Sequence, residues 1–134
     1  MAGSKSNYLE AKLLDHVLGA AVYTPPSIVY AALYSVAPDD TGGGTEISGN
    51  GYARVPVNND LINWPLASGT TTKVNGVYFT FPAATASWGT IAAIGIFDAA
   101  TSGNLLYWAD ITSATVNTSD IVRIAPSGIT ITSD

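Results

Sequence analysis

Residues 81–98 read Phe-Pro-Ala-Ala-Thr-Ala-Ser-Trp-Gly-Thr-Ile-Ala-Ala-Ile-Gly-Ile-Phe-Asp. Within them, Ile91-Ala92-Ala93-Ile94-Gly95-Ile96-Phe97 is apolar at odd and even positions alike. A strand with one face in water alternates, whereas a strand covered on both faces does not. This run is therefore expected to be a central strand buried on each side. Gly89 and Gly95 bracket it, and Asp98-Ala99-Ala100-Thr101-Ser102-Gly103-Asn104 reads as the turn that takes the chain out of it.

The neighbouring segments read as strands as well. Val77, Phe79 and Phe81 share one face, with Tyr78 and Thr80 opposite, and Asn75-Gly76 before them is a hairpin signal. Leu105 to Ile111 is a strand with the aromatics Tyr107 and Trp108 on opposite sides. Ile121 to Ile124, a Pro126-Ser127-Gly128 turn, and Ile129-Thr130-Ile131-Thr132 close the chain. The last segment alternates, isoleucines in and threonines out. Upstream, Ile28 to Tyr34 is rich in β-formers, and Tyr52 to Val57 follows the Gly49-Asn50-Gly51 turn, with Pro56 marking a strand edge or end. Pro38 to Thr45 is a Gly-rich loop. Asn58 to Thr72 is expected to be a long surface loop that packs Trp64 back onto the body.

The start of the chain differs. Residues 1–6 are small and polar and are expected to form a flexible arm. Asn7 and Glu10 have the spacing of a capping box. Leu9, Leu13, Leu14, Val17 and Leu18 then share one side of a short helix over about 8–18, which Gly19 ends. Such a helix is too short to stand alone and must dock. Tyr23-Thr24-Pro25-Pro26 forces an extended link into the first long strand. The expected fold is mainly β: one domain over 7–134, an antiparallel β-sandwich or jelly-roll-like arrangement of about seven or eight short strands with one N-terminal helix.

Composition narrows the function. At 134 residues the chain is long enough for one real core. Ten acidic residues stand against five scattered bases, Lys5, Lys12, Arg54, Lys73 and Arg123, so no phosphate-binding stripe forms and no nucleic-acid partner is expected. Charged residues make up 11%, against about 25% in ordinary soluble domains, which fits a β protein with a hydroxyl-rich surface and, slightly better, a surface covered by other subunits. There is no cysteine, hence no disulfide or cysteine metal site. No apolar run reaches the ~20 residues of a membrane span and no signal-peptide pattern opens the chain, so synthesis and folding in the cytoplasm without a membrane partner is expected.

Candidate chemistry is sparse. His16, the single histidine, is better explained as a partly exposed helix residue than as a general base. Asp39, Asp40 and Glu46 flank a glycine run without the spacing of a calcium loop. Asp98 and Asp110 are the pair a glycosidase would need, but Asp98 is accounted for by its turn. Tyr52, Tyr78 and Trp108 are able to stack on sugar rings, although core or subunit-interface packing explains them better. No catalytic residue, cofactor or metal site is expected.

Several segments occur in a recognisable order: Asn7-Tyr8-Leu9-Glu10 with Leu13 to Gly19, Tyr23-Thr24-Pro25-Pro26 leading to Val29 to Tyr34, and Gly51-Tyr52-Ala53-Arg54-Val55. Phe81 to Thr90, Gly95-Ile96-Phe97-Asp98-Ala99 and Gly103-Asn104-Leu105-Leu106 follow. Over about residues 7–132 this order resembles a family of small virion proteins of tailed double-stranded DNA bacteriophages, whose members carry labels such as tail fibre, minor capsid and head decoration protein. The resemblance implies a non-enzymatic virion structural protein. The first expectation is a capsid cement protein that bridges major capsid subunits and associates with itself as a dimer or trimer. A ligand of this kind, binding only the assembled shell, stabilises it by mass action. The alternative is a tail-fibre or tail-tip module that contacts the host surface through the loops at 39–50 and 58–72. The candidate interface residues are Tyr8, Leu9, Leu13, Tyr52, Arg54, Trp64, Tyr78 and Trp108.

Overall fold

The structure, a computed structural model, describes residues 4–67 and 69–133. Its elements are β1 (Ser4–Lys5), α1 (Asn7–Val17), β2 (Ile28–Val36), β3 (Thr45–Glu46), β4 (Val55–Asn58), β5 (Thr72–Val74), β6 (Phe79–Thr80), β7 (Gly89–Phe97), β8 (Leu105–Val116), β9 (Arg123–Ile124) and β10 (Thr130–Thr132). All strand pairs are antiparallel. The main sheet runs β1-β8-β7-β2, and β3 and β4 share the outer edge of β2. Two short ladders, β5–β10 and β6–β9, form the second layer. The chain is mainly β with one helix, as expected, although the second layer is two separate ladders and not one continuous sheet.

The central strand is buried as its pattern requires. From Ala93 to Phe97 every residue of β7 is buried. Ile91, Ile94 and Ile96 join Ala31, Leu33, Phe79, Phe81, Leu106, Ile129 and Ile131 in the main core, between the sheet and the two ladders. On the other face Ala93 and Phe97 pack with Ala32, Tyr34 and Leu105. Small residues are needed here: a Cβ on Gly95 would lie 2.9 Å from the Tyr34 ring and 3.0 Å from Leu105.

The structure departs from the sequence pattern in four places. Of the expected arm, residues 1–3 lie outside the described residues. Ser4 and Lys5 are not free, because they pair with Trp108 and Tyr107 and give β8 an outer neighbour. The helix cap is Ser6 and not Asn7. The Ser6 hydroxyl accepts from the Leu9 amide and donates to the Leu105 carbonyl, and so ties the helix start to the sheet. Asn75-Gly76 makes no hairpin. The Asn75 side chain is fully buried, donates to the Val77 and Ala125 carbonyls and accepts from the Ile129 amide. It knits the entries to β6 and β10, so its polar atoms replace a sheet ladder where none runs. Finally, the Tyr52-to-Val57 segment is a strand only from Val55; Tyr52 and Arg54 turn inward and Ala53 outward.

Candidate functional site

The helix that had to dock does so with Leu9, helped by Tyr8 and Leu13 packed against the core. Leu9 is buried and Leu13 half-buried, whereas Leu14, Val17 and Leu18 are 61, 72 and 80% exposed, and Val22 beyond the helix is 80% exposed. Spaced at i, i+3 and i+4, Leu14, Val17 and Leu18 form a continuous aliphatic ridge. Glu10, one turn earlier on the same face, and Asp15 flank it. The segment after α1 folds back along the helix: the Ala21 amide donates to the Asp15 carbonyl, and the Tyr23 amide donates to His16 Nδ1 at 3.2 Å. His16 is thereby the acceptor that holds this return, and the Pro25-Pro26 link then leads into β2.

Beneath the helix and its return lies a cleft of about 490 Å3, walled by Leu9, Leu13, Tyr23, Trp64, Ile96 and Tyr107 among others. Burial raises the phenols of Tyr23 and Tyr107 above their ordinary value. Polar groups sit at the rim, with Thr70, Thr71, Thr72 and Lys73 on one side and His16 and Asn59 on the other. Lys5, whose Nζ donates to Ser133 Oγ, is also at this cleft. The loop that supplies Trp64 and Ala67 to the wall exposes Leu61, Ile62 and Leu66 (57, 75 and 67%). An aliphatic ridge, a cleft with apolar walls and a polar rim, and an aliphatic lip thus occupy one region of a chain poor in charge. Apolar surface gathered in this way marks contact with another molecule.

A second, more polar hollow of about 390 Å3 lies beside the Gly-rich loop, lined by Tyr8, Tyr34, Asp40, Thr41, Gly43 and Asn104. Its loop is pinned from below: Asp40 Oδ1 accepts from Ser4 Oγ and from Trp108 Nε1, each at 3.2 Å, and the Asp40 carbonyl accepts from the Asn7 amide.

The candidate interface residues fall into different surroundings. Tyr8 and Leu13 lie at the two hollows, Leu9 is buried beneath the helix, and Trp64 packs edge-on to Phe79 at 5.5 Å in the core, as its loop was expected to place it. Tyr78 is exposed, with the Arg123 guanidinium 4.4 Å from its ring, and Trp108 is half-buried on Asp40. Tyr52 and Arg54 turn into the body. Arg54 forks onto Glu46 (Nε to Oε2 2.9 Å, Nη2 to Oε1 2.8 Å), and its Nη1 donates to the Ala99 and Ser102 carbonyls. The guanidinium lies 3.7 Å from the Phe97 ring centroid. Tyr52 donates to Glu46 at 2.7 Å and accepts from the Leu33 amide, and its ring meets Trp88 edge-on. The Gly-Tyr-Ala-Arg-Val and Trp-Gly-Thr motifs are therefore two halves of one internal clamp.

Electrostatics follow the clamp geometry. Burial alone would raise the Glu46 carboxyl, but the hydrogen bonds from Arg54 and Tyr52 and the Arg54 charge hold it below its ordinary value. Burial, then the hydrogen bond to Glu46, pushes the Tyr52 phenol far up; burial and the Glu46 charge take Tyr34 up to about 12. The other acidic residues do not converge. Asp39 is occupied by Thr41, Asp98 by Asn104, and Asp110 lies opposite Ala93, well along β8 from Asp98. Among the described residues no three His, Asp or Glu side chains gather to hold a metal, and no helix is long and apolar enough to cross a membrane.

No curated protein matches the sequence. A family model described as Podophage GP4 fiber I protein gp80 matches residues 4–132. The match takes in β1, the helix and its ridge, the clamp and every strand to β10, and by it the chain belongs to this family of phage virion structural proteins.

Proposed function

We propose that this chain is a subunit of a phage fibre, that it works by contact and not by catalysis, and that the ridge and cleft are where it is held in the assembled particle. The fibre name of the matching family supports an appendage over the cement role first expected, in which the chain would bridge major capsid subunits. The observation that carries the contact reading is the aliphatic ridge: Leu14, Val17 and Leu18 are more than 60% exposed on a helix whose one buried side chain is Leu9, with Val22 as exposed just beyond it. Removing such side chains from water contributes about 25 cal/mol per Å2, so a neighbour that covers them is rewarded and one that leaves them wet is not.

The test is location and copy number in the virion. Gold-labelled antibody is expected on the tail appendages, with copies per particle far below those of the major capsid protein. Labelling over the whole shell, with copies near those of the capsid protein, would restore the cement reading.

The polar hollow favours a second contact, with a host glycan. The Tyr8 ring beside Asp40, Thr41 and Asn104 supplies the apolar face and the few fixed polar groups that sugar recognition uses. Host envelope polysaccharide is expected to shift the amide resonances of residues 40–43 and 103–105. Shifts confined elsewhere, or none, would remove this assignment.

A further inference from the structure

The partner that fits the cleft is present on the same molecule. We infer that a second copy of this chain covers the cleft by inserting its own Leu14–Val17–Leu18 ridge. The contact is head-to-tail: each copy gives a ridge to one neighbour and receives a ridge from another. This rests on reading the apolar face as the buried one, and it names what buries it.

Shape comes first. Leu9 and Leu13, on the inner side of α1, already line the copy's own cleft, so the outward side that carries Leu14, Val17 and Leu18 cannot also turn into it. The ridge is held for insertion. Ser6 fixes the start of the helix, and the Ala21 and Tyr23 amides fix the return after its end, so little ordering is needed on contact.

Area comes next. Leu14, Val17 and Leu18 on the ridge and Val22 just beyond it, with Leu61, Ile62 and Leu66 on the lip, offer roughly 800 Å2 before the cleft walls are counted, and a stable interface takes about 1,000–1,200 Å2 in all. One ridge seated in one cleft, with its lip and walls, reaches that size.

Charge selects the pairing. The ridge is flanked by the acidic Glu10 and Asp15, while the cleft rim carries Lys73. Ridge into cleft brings opposite signs together. Ridge against ridge would set Glu10 and Asp15 facing their own copies and leave the cleft open, so the two-fold arrangement is disfavoured. A head-to-tail contact closes into a ring or continues as a filament, and both consist of the same repeated joint.

The joint has a diagnostic test. Wild-type protein is expected to associate reversibly in sedimentation equilibrium. A ridge variant, Leu14→Glu with Leu18→Glu, and a cleft variant, Thr71→Arg, alter exposed positions and are each expected to be monomeric with unchanged circular dichroism. Mixed together, they retain one intact cleft and one intact ridge between them, so they form a one-to-one heterodimer and nothing larger. Lys73→Glu is expected to weaken wild-type association several-fold. A wild type that stays monomeric, single variants that still associate, or a mixture that does not pair would each overturn the inference. Virion incorporation separates it from the functional proposal. A monomeric wild type whose ridge variant is excluded from virions sinks the self-contact and keeps the contact face. Self-association in a protein whose ridge variant is still incorporated supports the self-contact and removes the ridge from virion attachment.

Discussion

Arg54 grips Glu46 with two nitrogens while its plane lies on Phe97 and its third nitrogen holds the 98–103 turn by two carbonyls. Its side chain is 8% exposed and that of Glu46 is 25%. Arg54→Met leaves a largely buried carboxylate with only Tyr52 for company and releases the turn. We expect a loss of about 2–4 kcal/mol in urea unfolding, with Arg54→Lys recovering little because an ammonium lacks the planar fork. The same pair sets an acid limit. The Glu46 carboxyl is held below its ordinary value of 4.5 in the folded state. Its contribution is therefore complete above that value and is lost as pH falls through the lower folded one. The stability gap between wild type and Glu46→Gln should stay flat from neutral pH down to about 5.5 and narrow below about 4.5. Asn75 is a second fixed point. Asn75→Leu keeps the bulk but leaves the Val77 and Ala125 carbonyls and the Ile129 amide unpaired. The expected cost is about 3 kcal/mol or more, read as a fall in Tm of roughly ten degrees or more. In the sequence Asn75-Gly76 reads as a hairpin turn, whereas in the structure Asn75 is a buried staple. A turn and a buried staple use the same residue type, and only the partners fifty residues away distinguish them.

At the scale of elements, the strands whose pattern is set by burial were legible and those set by partners were not. β7 is apolar on both parities because it is covered on both faces, and Ile129 and Ile131 alternate with Thr130 and Thr132 because only one side of β10 meets the core. β1 has no pattern at all: Ser4 and Lys5 are a strand because β8 has a free edge there. The helix was legible as a helix, but the periodicity of Leu9, Leu13, Leu14, Val17 and Leu18 says only that an apolar side exists and not what meets it. Ser6→Ala removes both the cap and the link to Leu105. It is expected to cost about 1–2 kcal/mol and to speed hydrogen exchange over residues 9–17 without touching β7. Gly95→Ala would press a methyl group between Tyr34 and Leu105, with an expected loss of about 1–3 kcal/mol in the same unfolding assay.

Across the whole molecule, stability is graded from the middle outward. β7, flanked by the long strands β2 and β8, should hold the slowest-exchanging amides, and α1, β1 and the return at 19–23 the fastest. If copies join ridge to cleft, protection in α1 rises with protein concentration while that in β7 does not. The candidate surface was half legible, since the apolar helix was visible in the sequence and the cleft, where α1 meets β2, β5, β7, β8, β10 and two loops, was not. Lys5 Nζ lies 3.2 Å from Ser133 Oγ, so the described chain begins and ends at one corner, on ladders of two pairs (β1–β8) and three pairs (β5–β10). Tension applied between those ends opens the short ladders one pair at a time, by peeling. The longer pairings of β7 with β2 and β8 are expected to part only after these short ladders have opened. A subunit suspended by its ends would therefore lengthen at the corner under a jolt and recoil with its core intact.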